Sequence, residues 1–294
     1  MSIAAAKEPF VVSTERDARR RVLEWQAERQ TVALVPTMGN LHRGHISLVE
    51  KVQQLADRVV CSIFVNPTQF GPGEDFDAYP RTLQEDERKL AALGIDLVFA
   101  PTVNEIYPFG DESPVTVTVP GLSDGLCGAS RPGHFTGVTT VVCRLLNIIR
   151  PDFAVFGEKD YQQLLVLSRM VEDLRLPVEV IRAPIVRDSD GLALSSRNRY
   201  LTAEQRQIAP TLNRTLWTLV EAIQAGRTDY PALEAQGRSL LEAVGFKPDY
   251  LEIRTAADIK RPTLALPPDE LIVLAAAWLG ETRLLDNVQV AHSR

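Results

Sequence analysis

Two histidines three residues apart, in Leu41-His42-Arg43-Gly44-His45, are the first place where this chain could do chemistry. An imidazole can donate hydrogen bonds to phosphoryl oxygens as charge builds in a transition state, and it needs no metal to do so. Gly44 lets another group approach the backbone closely. Further on, Gly157-Glu158-Lys159-Asp160 offers an ammonium group that can hold phosphate as a point charge. Its carboxylate, Asp160, could help hold Mg2+, an ion that binds through one or two carboxylates plus substrate phosphates. Ser195-Ser196-Arg197 adds two hydroxyls and a guanidinium, as either a mobile anion-binding loop or a linker. Asn66, Gln69 and Gln163 are neutral amides suited to recognising hydroxyl and carboxylate groups. Glu85 and Asp86 fit equally well as second-sphere acids or as a solvated helix face.

The elements that must position these groups follow from hydrophobic pattern. Thr31-Val32-Ala33-Leu34-Val35 is a short, β-branched, unbroken run, as in a strand buried on both faces. Pro36-Thr37-Met38-Gly39-Asn40 leads from it to the histidines, and residues 46–57 carry apolar side chains at helical spacing. A helix N-terminus there attracts phosphate. Similar buried runs lie at Val59–Val65, Asp96–Ala100, Phe153–Phe156 and Val178–Arg182, with helices expected from Ser13, over Thr82–Leu93, Thr136–Ile149 and Tyr161–Asp173. Val115-Thr116-Val117-Thr118-Val119 alternates with period two and predicts a half-exposed strand. Strands alternating with helices give βαβ units and a parallel sheet. The polar loops after the first, second and fourth of these strands would then share one sheet edge, where ligands of α/β folds bind.

The pattern changes near Ile185. One long helix from Thr202 to about Ala225, another over Tyr230–Val244 and short strands near Tyr250–Ile253, Leu271–Ala276 and Arg283–Asp286 give an α+β order. The expected organisation is α/β: a Rossmann-like parallel-sheet domain over residues 1–185 and a smaller α+β C-terminal lid domain over residues 186–294. Residues 1–9 read as a loose tail.

Composition narrows the function classes. The net charge of −6, from 38 acidic and 32 basic residues, argues against general nucleic-acid binding. Cys61, Cys127 and Cys143 form no C-x-x-C pair, so a zinc or redox site is not indicated. No apolar run approaches the roughly 20 residues of a membrane helix, and the first nine residues lack a secretory core, so a cytoplasmic protein is expected. G-x-S-x-G and G-x-G-x-x-G are both absent, which disfavours a serine hydrolase and a dinucleotide oxidoreductase.

Six motifs in order carry a resemblance: Pro36-Thr37-Met38-Gly39-x-Leu41-His42-x-Gly44-His45, Phe64-Val65-Asn66-Pro67-x-Gln69-Phe70, Tyr79-Pro80-Arg81-Thr82, Arg131-Pro132-Gly133-His134-Phe135, Phe156-Gly157-Glu158-Lys159-Asp160-Tyr161-Gln162-Gln163 and Asp190-Gly191-Leu192-Ala193-Leu194-Ser195-Ser196-Arg197-Asn198. With Asp249-Tyr250-Leu251-Glu252 and Asp286-Asn287, they resemble the pantothenate synthetase (pantoate–β-alanine ligase) family over nearly the whole chain. H-x-G-H alone is shared with other nucleotidylyl transferases, whereas the ordered set is specific.

The resemblance implies ATP-dependent condensation of (R)-pantoate with β-alanine through a pantoyl adenylate, with Mg2+ and a homodimer. It implies that Met38, Gly39, Asn40, Leu41, His42, Arg43, Gly44 and His45 line ATP, with His45 the proton donor and His42 its partner. Gly157, Glu158, Lys159, Asp160, Leu194, Ser195, Ser196 and Arg197 would also hold ATP, and Val186 would contact adenine or ribose through its backbone. Lys159 and Arg197 would share in catalysis, while Gln69, Gln163, Asn66 and Arg131 would serve pantoate and β-alanine. One departure is Leu126-Cys127-Gly128 where the family pattern has Leu-Glu-Gly. The expectation is that losing this acid loosens Arg131 or the β-alanine end and weakens affinity for one small substrate. A transferase that stops at nucleotidyl transfer and a catalytically silent nucleotide-binding protein are the competing readings.

Overall fold

Every strand of the larger sheet runs parallel to its neighbours in the computed structural model, which describes residues 9–111, 114–263 and 266–291. The chain divides into two compact units. One comprises residues up to Glu158 together with Val166–Pro184, the other Lys159–Leu165 together with residues from Ile185 onward. A single cut near residue 185 therefore misses the return of Lys159–Leu165 to the C-terminal unit.

The first unit holds strands β1 (Phe10–Val12), β2 (Val32–Thr37), β3 (Arg58–Ile63), β4 (Leu97–Phe99), β5 (Phe153–Gly157) and β6 (Glu179–Ala183), in the order β1-β4-β3-β2-β5-β6. Its helices are α1 (Glu15–Ala27), α2 (Arg43–Val52), α3 (Leu83–Ala92), α4 (Val103–Ile106), α5 (Cys127–Ser130) and α6 (His134–Ile149). Helix α7 (Tyr161–Asp173) starts in the C-terminal unit and ends in the first. The strands read as unbroken apolar runs because both faces are covered: Ala33, Val35, Val59, Cys61, Val98 and Val155 are buried in one cluster with Val49 and Val52 of α2. Each of these valines contributes roughly 1.5–3 kcal/mol on burial. Carboxylates staple the strand starts: Asp57 accepts the Thr31 N–H at 2.9 Å, Asp152 that of Val32 at 2.8 Å and Asp96 that of Val59 at 3.0 Å.

The strand order decides where a ligand can bind. After β2 the chain winds outward through β3 and β4, then returns to place β5 on the other side of β2. The loops after β2 and β5 thus leave adjacent strands in opposite directions, the switch point at which α/β sheets bind ligands. The loops after the strands read first, second and fourth in the sequence do follow adjacent strands of this sheet, β3-β2-β5.

The C-terminal unit packs α8 (Ala203–Ile208), α9 (Thr211–Gln224) and α10 (Tyr230–Glu242) with the antiparallel sheet β7 (Phe246–Thr255), β8 (Leu271–Leu279) and β9 (Thr282–Gln289). Leu216 and Leu219 of α9 and Leu233 of α10 share its core with Val273, Ala275 and Ala277 of β8.

Three expectations need correction. The single helix from Thr202 to Ala225 is broken between Ile208 and Thr211, because Pro210 has no N–H for the helical ladder. The first helix is capped by Thr14, whose side chain accepts from Asp17 N, rather than by Ser13. Residues 115–119 form no strand: Thr140 and Thr139 of α6 take the Val117 N–H and C=O at 2.9 and 2.5 Å, so the segment lies along a helix. β1, which sequence pattern missed, pairs with β4 at the sheet edge. Most of the expected N-terminal tail lies outside the described residues.

Candidate active site

The loop after β2 is held by its own backbone and by α3. Gly39 and Asn40 both take left-handed conformations, with φ of 81° and 51°. That turn aims two successive N–H groups at Asp86, whose carboxylate accepts from Asn40 N at 2.8 Å and Leu41 N at 2.7 Å. Asp86 is fully buried and takes a third bond from Thr82 Oγ1 at 3.0 Å. A Cβ on Gly39 would lie 3.1 Å from Asp86 Oδ2, so glycine suits the position twice over. Lys89, one turn on along α3, donates to the Leu41 carbonyl at 2.8 Å. Asp86 is therefore neither solvated nor idle, and Glu85 is left to pair with Lys89 at 2.7 Å.

His42 then caps α2. Its Nδ1 accepts the Gly44 N–H at 3.1 Å, and His45 Nδ1 accepts the His42 N–H at 3.3 Å, a reciprocal capping box. A neutral imidazole whose Nδ1 accepts carries its proton on Nε2, so both rings are set as Nε2 donors without needing a positive charge. The donors stand at a helix N-terminus at the sheet's switch point. Met38 and Arg43 flank this loop, Met38 half-buried and Arg43 exposed. Gly157 and Glu158 follow β5.

The loop after β3 brings amides together. Asn66 is buried, and its side chain is committed within the unit: Nδ2 donates to Gln69 Oε1 at 3.1 Å and to Gly137 O at 3.2 Å. Its Oδ1 accepts from Tyr107 Oη at 2.8 Å and Thr68 Oγ1 at 3.1 Å. Burial pushes the Tyr107 phenol above its ordinary pKa, which keeps it a donor. Asn66 thus holds the Gln69 side chain, the residue expected beside it at the substrate. Gln69 Nε2 in turn reaches Met38 Sδ at 3.2 Å, joining the two loops. Arg131 sits beside them, with Nη2 3.4 Å from Gln69 O.

Arg131 is fixed by Glu74, a residue that the sequence did not single out. Glu74 accepts from Arg131 Nε at 2.7 Å and Nη2 at 2.5 Å, while Arg131 Nη1 meets His134 Nε2 at 2.9 Å. With the guanidinium as donor, His134 carries its proton on Nδ1, which donates to Gln69 O at 2.8 Å. Burial on its own would raise the Glu74 pKa, but the two-point contact with Arg131 outweighs it and holds the carboxyl below its usual value. Cys127 is buried at the start of α5. The carboxylate that meets the Arg131 guanidinium is that of Glu74.

The C-terminal unit carries the other group of expected residues. Lys159 and Asp160 lie in a single 3-10 turn just before α7, with Lys159 Nζ 3.5 Å from Asp160 Oδ1. Gln163 stands in the first turn of α7, half-buried. Residues 186–194 form a tight hairpin, closed by Leu194 N to Val186 O at 2.9 Å and Asp188 N to Leu192 O at 2.9 Å. The Val186 carbonyl is thereby engaged in the hairpin. Ser195 caps the following turn, Ser196–Tyr200, by accepting from Arg197 N at 3.3 Å. Lys159 and Ser195 line one small enclosed cavity together with Asn198 and Asp286. Among the described residues no group of three or more His, Cys, Asp or Glu could hold a metal ion.

A sequence model described as pantoate-beta-alanine ligase matches residues 10–289. The chain belongs to the pantoate–β-alanine ligase family. It is 55% identical over 280 residues to the pantothenate synthetase of Stutzerimonas stutzeri, covering 95% of this chain and 97% of that one. The Azotobacter vinelandii pantothenate synthetase is 55% identical over 282 residues, 96% and 99% of the two chains. Among solved structures, pantothenate synthetase from Thermus thermophilus superposes with a TM-score of 0.88 at 46% identity, covering 96% of this chain and 99% of that one. The Francisella tularensis ligase, solved in complex with beta-gamma ATP and beta-alanine, gives a TM-score of 0.79 at 32% identity over 97% and 99% of the two chains. The chain is thus an enzyme of this ligase family with a Rossmann-like sheet. No helix among the described residues is long and apolar enough to cross a membrane.

Proposed function

We propose that this ligase condenses (R)-pantoate with β-alanine at the expense of ATP, through a pantoyl-adenylate intermediate. In the first step a pantoate carboxylate oxygen attacks the α-phosphorus of ATP, the bond to the β-phosphate oxygen breaks and pyrophosphate leaves. In the second the β-alanine amine attacks the acyl carbon and loses a proton, and the carbon–oxygen bond to AMP breaks. The observation that carries the reading is the His42–His45 capping box, which leaves two imidazoles as Nε2 donors at a helix N-terminus. Negative charge grows on the phosphoryl oxygens in the first step, and preorganised donors act where charge develops.

The other residues take roles that fit their chemistry. His45 donates toward the leaving phosphate, with His42 beside it. Lys159, Ser195, Ser196 and Arg197 bind phosphate oxygens, and Met38–Leu41, Gly157, Glu158 and the Val186 backbone hold the rest of the nucleotide. Gln69 and Gln163 hold pantoate, and Arg131 with its charge balanced by Glu74 serves the β-alanine end. Asp160 would share Mg2+ with the phosphates, where the ion neutralises charge on the triphosphate. The C-terminal unit acts as a lid that excludes water, which an acyl adenylate requires. The ATP and β-alanine of the Francisella tularensis complex support these co-substrates. The reading includes a homodimer working on small molecules in the cytoplasm, where ATP is supplied, without nucleic-acid or membrane partners; sedimentation tests the stoichiometry.

The deciding experiment follows AMP and pyrophosphate release from ATP and Mg2+ with (R)-pantoate, with and without β-alanine. Sustained AMP release only with both substrates is expected, and one equivalent of pyrophosphate with pantoate alone. ATP binding without turnover on this pair overturns the substrate assignment.

A further inference from the structure

Two consecutive residues of β9, Asp286 and Asn287, are buried polar side chains in a strand whose neighbours Leu284 and Val288 are apolar. Packing alone would be served by apolar residues there. Successive side chains of a strand point to opposite faces of its sheet, so the pair reaches two different elements.

Asp286 accepts from Arg187 Nη1 at 2.6 Å and Nη2 at 2.8 Å, and from Asn213 Nδ2 of α9 at 3.1 Å. Its Oδ1 also accepts the Asn287 N–H at 2.7 Å. A two-point arginine–carboxylate contact fixes orientation as well as distance. Arg187 passes this on by donating to Gly191 O at 3.1 Å, which ties both arms of the 186–194 hairpin to β9. Ser195 follows that hairpin directly, and Asn198 Nδ2 donates back to Ala193 O at 3.0 Å. Asn287, on the other face, donates Nδ2–H to the Lys159 carbonyl at 3.0 Å. The Lys159 backbone is thus held where the residue lines the same cavity as Ser195 and Asp286.

We propose that Asp286 and Asn287 are positioning residues that fix the two phosphate-binding elements of the C-terminal unit in mutual register: Asp286 through the hairpin that carries Ser195–Arg197, Asn287 through the main chain of Lys159. Both act through these elements rather than on the reacting atoms. The inference rests on the reading of Lys159 and Ser195–Arg197 as phosphate-binding groups.

The test is single-turnover pyrophosphate formation from ATP, Mg2+ and (R)-pantoate by the full chain, measured for Asn287→Ala, the isosteric Asn287→Asp, Asp286→Asn, Lys159→Ala and the double variant Asn287→Ala/Lys159→Ala. Thermal melts check that each is folded, and Asn287→Asp carries the test should Asn287→Ala fail to fold. Loss of positioning is expected to slow adenylate formation about tenfold in the variants of both residues. The KM for β-alanine in the second half-reaction stays unchanged. Adding Asn287→Ala to Lys159→Ala costs less than about twofold further, because the asparagine acts through the lysine. Folded Asn287 variants at the native rate, or losses that multiply in the double variant, overturn the proposal. A Lys159→Ala protein at the native rate overturns the phosphate-binding reading itself, which separates the two failures.

Discussion

The imidazoles of His42 and His45 stand with ring centres 4.1 Å apart, and each gives its Nδ1 lone pair to a main-chain N–H of the same helix turn. Capping and chemistry are thereby joined in one pair of side chains. The backbone donors fix the tautomer, and the tautomer places both protons on Nε2. Nitrogen-15 spectra at neutral pH are expected to show Nδ1 of both rings as the unprotonated nitrogen; a protonated Nδ1 on either ring removes the capping box. Substitution separates the two jobs. Asn is a good N-cap, so His42→Asn is expected to keep stability within about 0.5 kcal/mol while His42→Ala loses about 1 kcal/mol. His45→Ala is expected to slow adenylate formation at least about 10²-fold.

Asp86 gives a second prediction. Its carboxylate is the acceptor for two N–H groups that the left-handed Gly39–Asn40 turn points inward. Asp86→Ala leaves both without a partner and is expected to cost about 2–4 kcal/mol. Asp86→Asn keeps one acceptor oxygen but turns an NH2 toward the other N–H, so it falls between. Both are expected to lower kcat about tenfold or more, since the loop delivers His42 and His45. Urea unfolding with steady-state kinetics on the two variants checks this; unchanged kcat in a destabilised protein would confine Asp86 to stability.

Glu74 predicts a pH dependence whose sign is fixed. Its native pKa lies below the ordinary value of 4.5, because the Arg131 contact outweighs the opposing effect of burial. As pH falls, the unfolded chain takes up the proton first. The contribution of the ion pair is therefore complete above about pH 4.5 and is lost as pH drops through the lower native value. Glu74→Gln is expected to be less stable than the native protein at pH 7, with the two stability curves converging on acidification. It also frees Arg131 to shift, so a raised KM for β-alanine at pH 7 is expected.

The sheet was legible in the chain because parallel strands buried on both faces are apolar throughout, as Val32–Val35 and Val59–Cys61 are. Lys159 was likewise visible as a polar residue after an apolar run, and Ser195 as one of two hydroxyls beside Arg197. The acids that hold the loops of the first unit were not. Asp86 lies in Gln84-Glu85-Asp86-Glu87, where nothing in residue type separates the buried acid from exposed Glu85 or half-buried Glu87. Glu74 meets Arg131 across 57 residues, and only the fold makes that contact. The alternation of Val115–Val119 misled for a physical reason: threonines of α6 satisfy the backbone there, so its pattern reflects packing along a helix rather than a sheet. β1 is three residues long, too short for any period to show.

Gly137 supplies the last prediction. It lies in α6, where a Cβ would stand 2.3 Å from Thr68 O and 2.7 Å from Gln69 Cα. Both neighbours are backbone, so no rotamer change can make room. The absence of a side chain lets the loop after β3 rest directly on the helix, and Asn66 Nδ2 bonds to the Gly137 carbonyl at that contact. Gly137→Ala must therefore push the loop outward and break the Asn66 bond that orients Gln69. Overpacking of this kind is expected to cost about 1–3 kcal/mol. If Gln69 holds pantoate, the KM for pantoate rises about tenfold while that for ATP stays within about twofold. Calorimetry with steady-state kinetics reads both. A variant that is destabilised yet keeps its pantoate KM would show that Gln69 does not contact the substrate, because the displacement of its backbone is unavoidable.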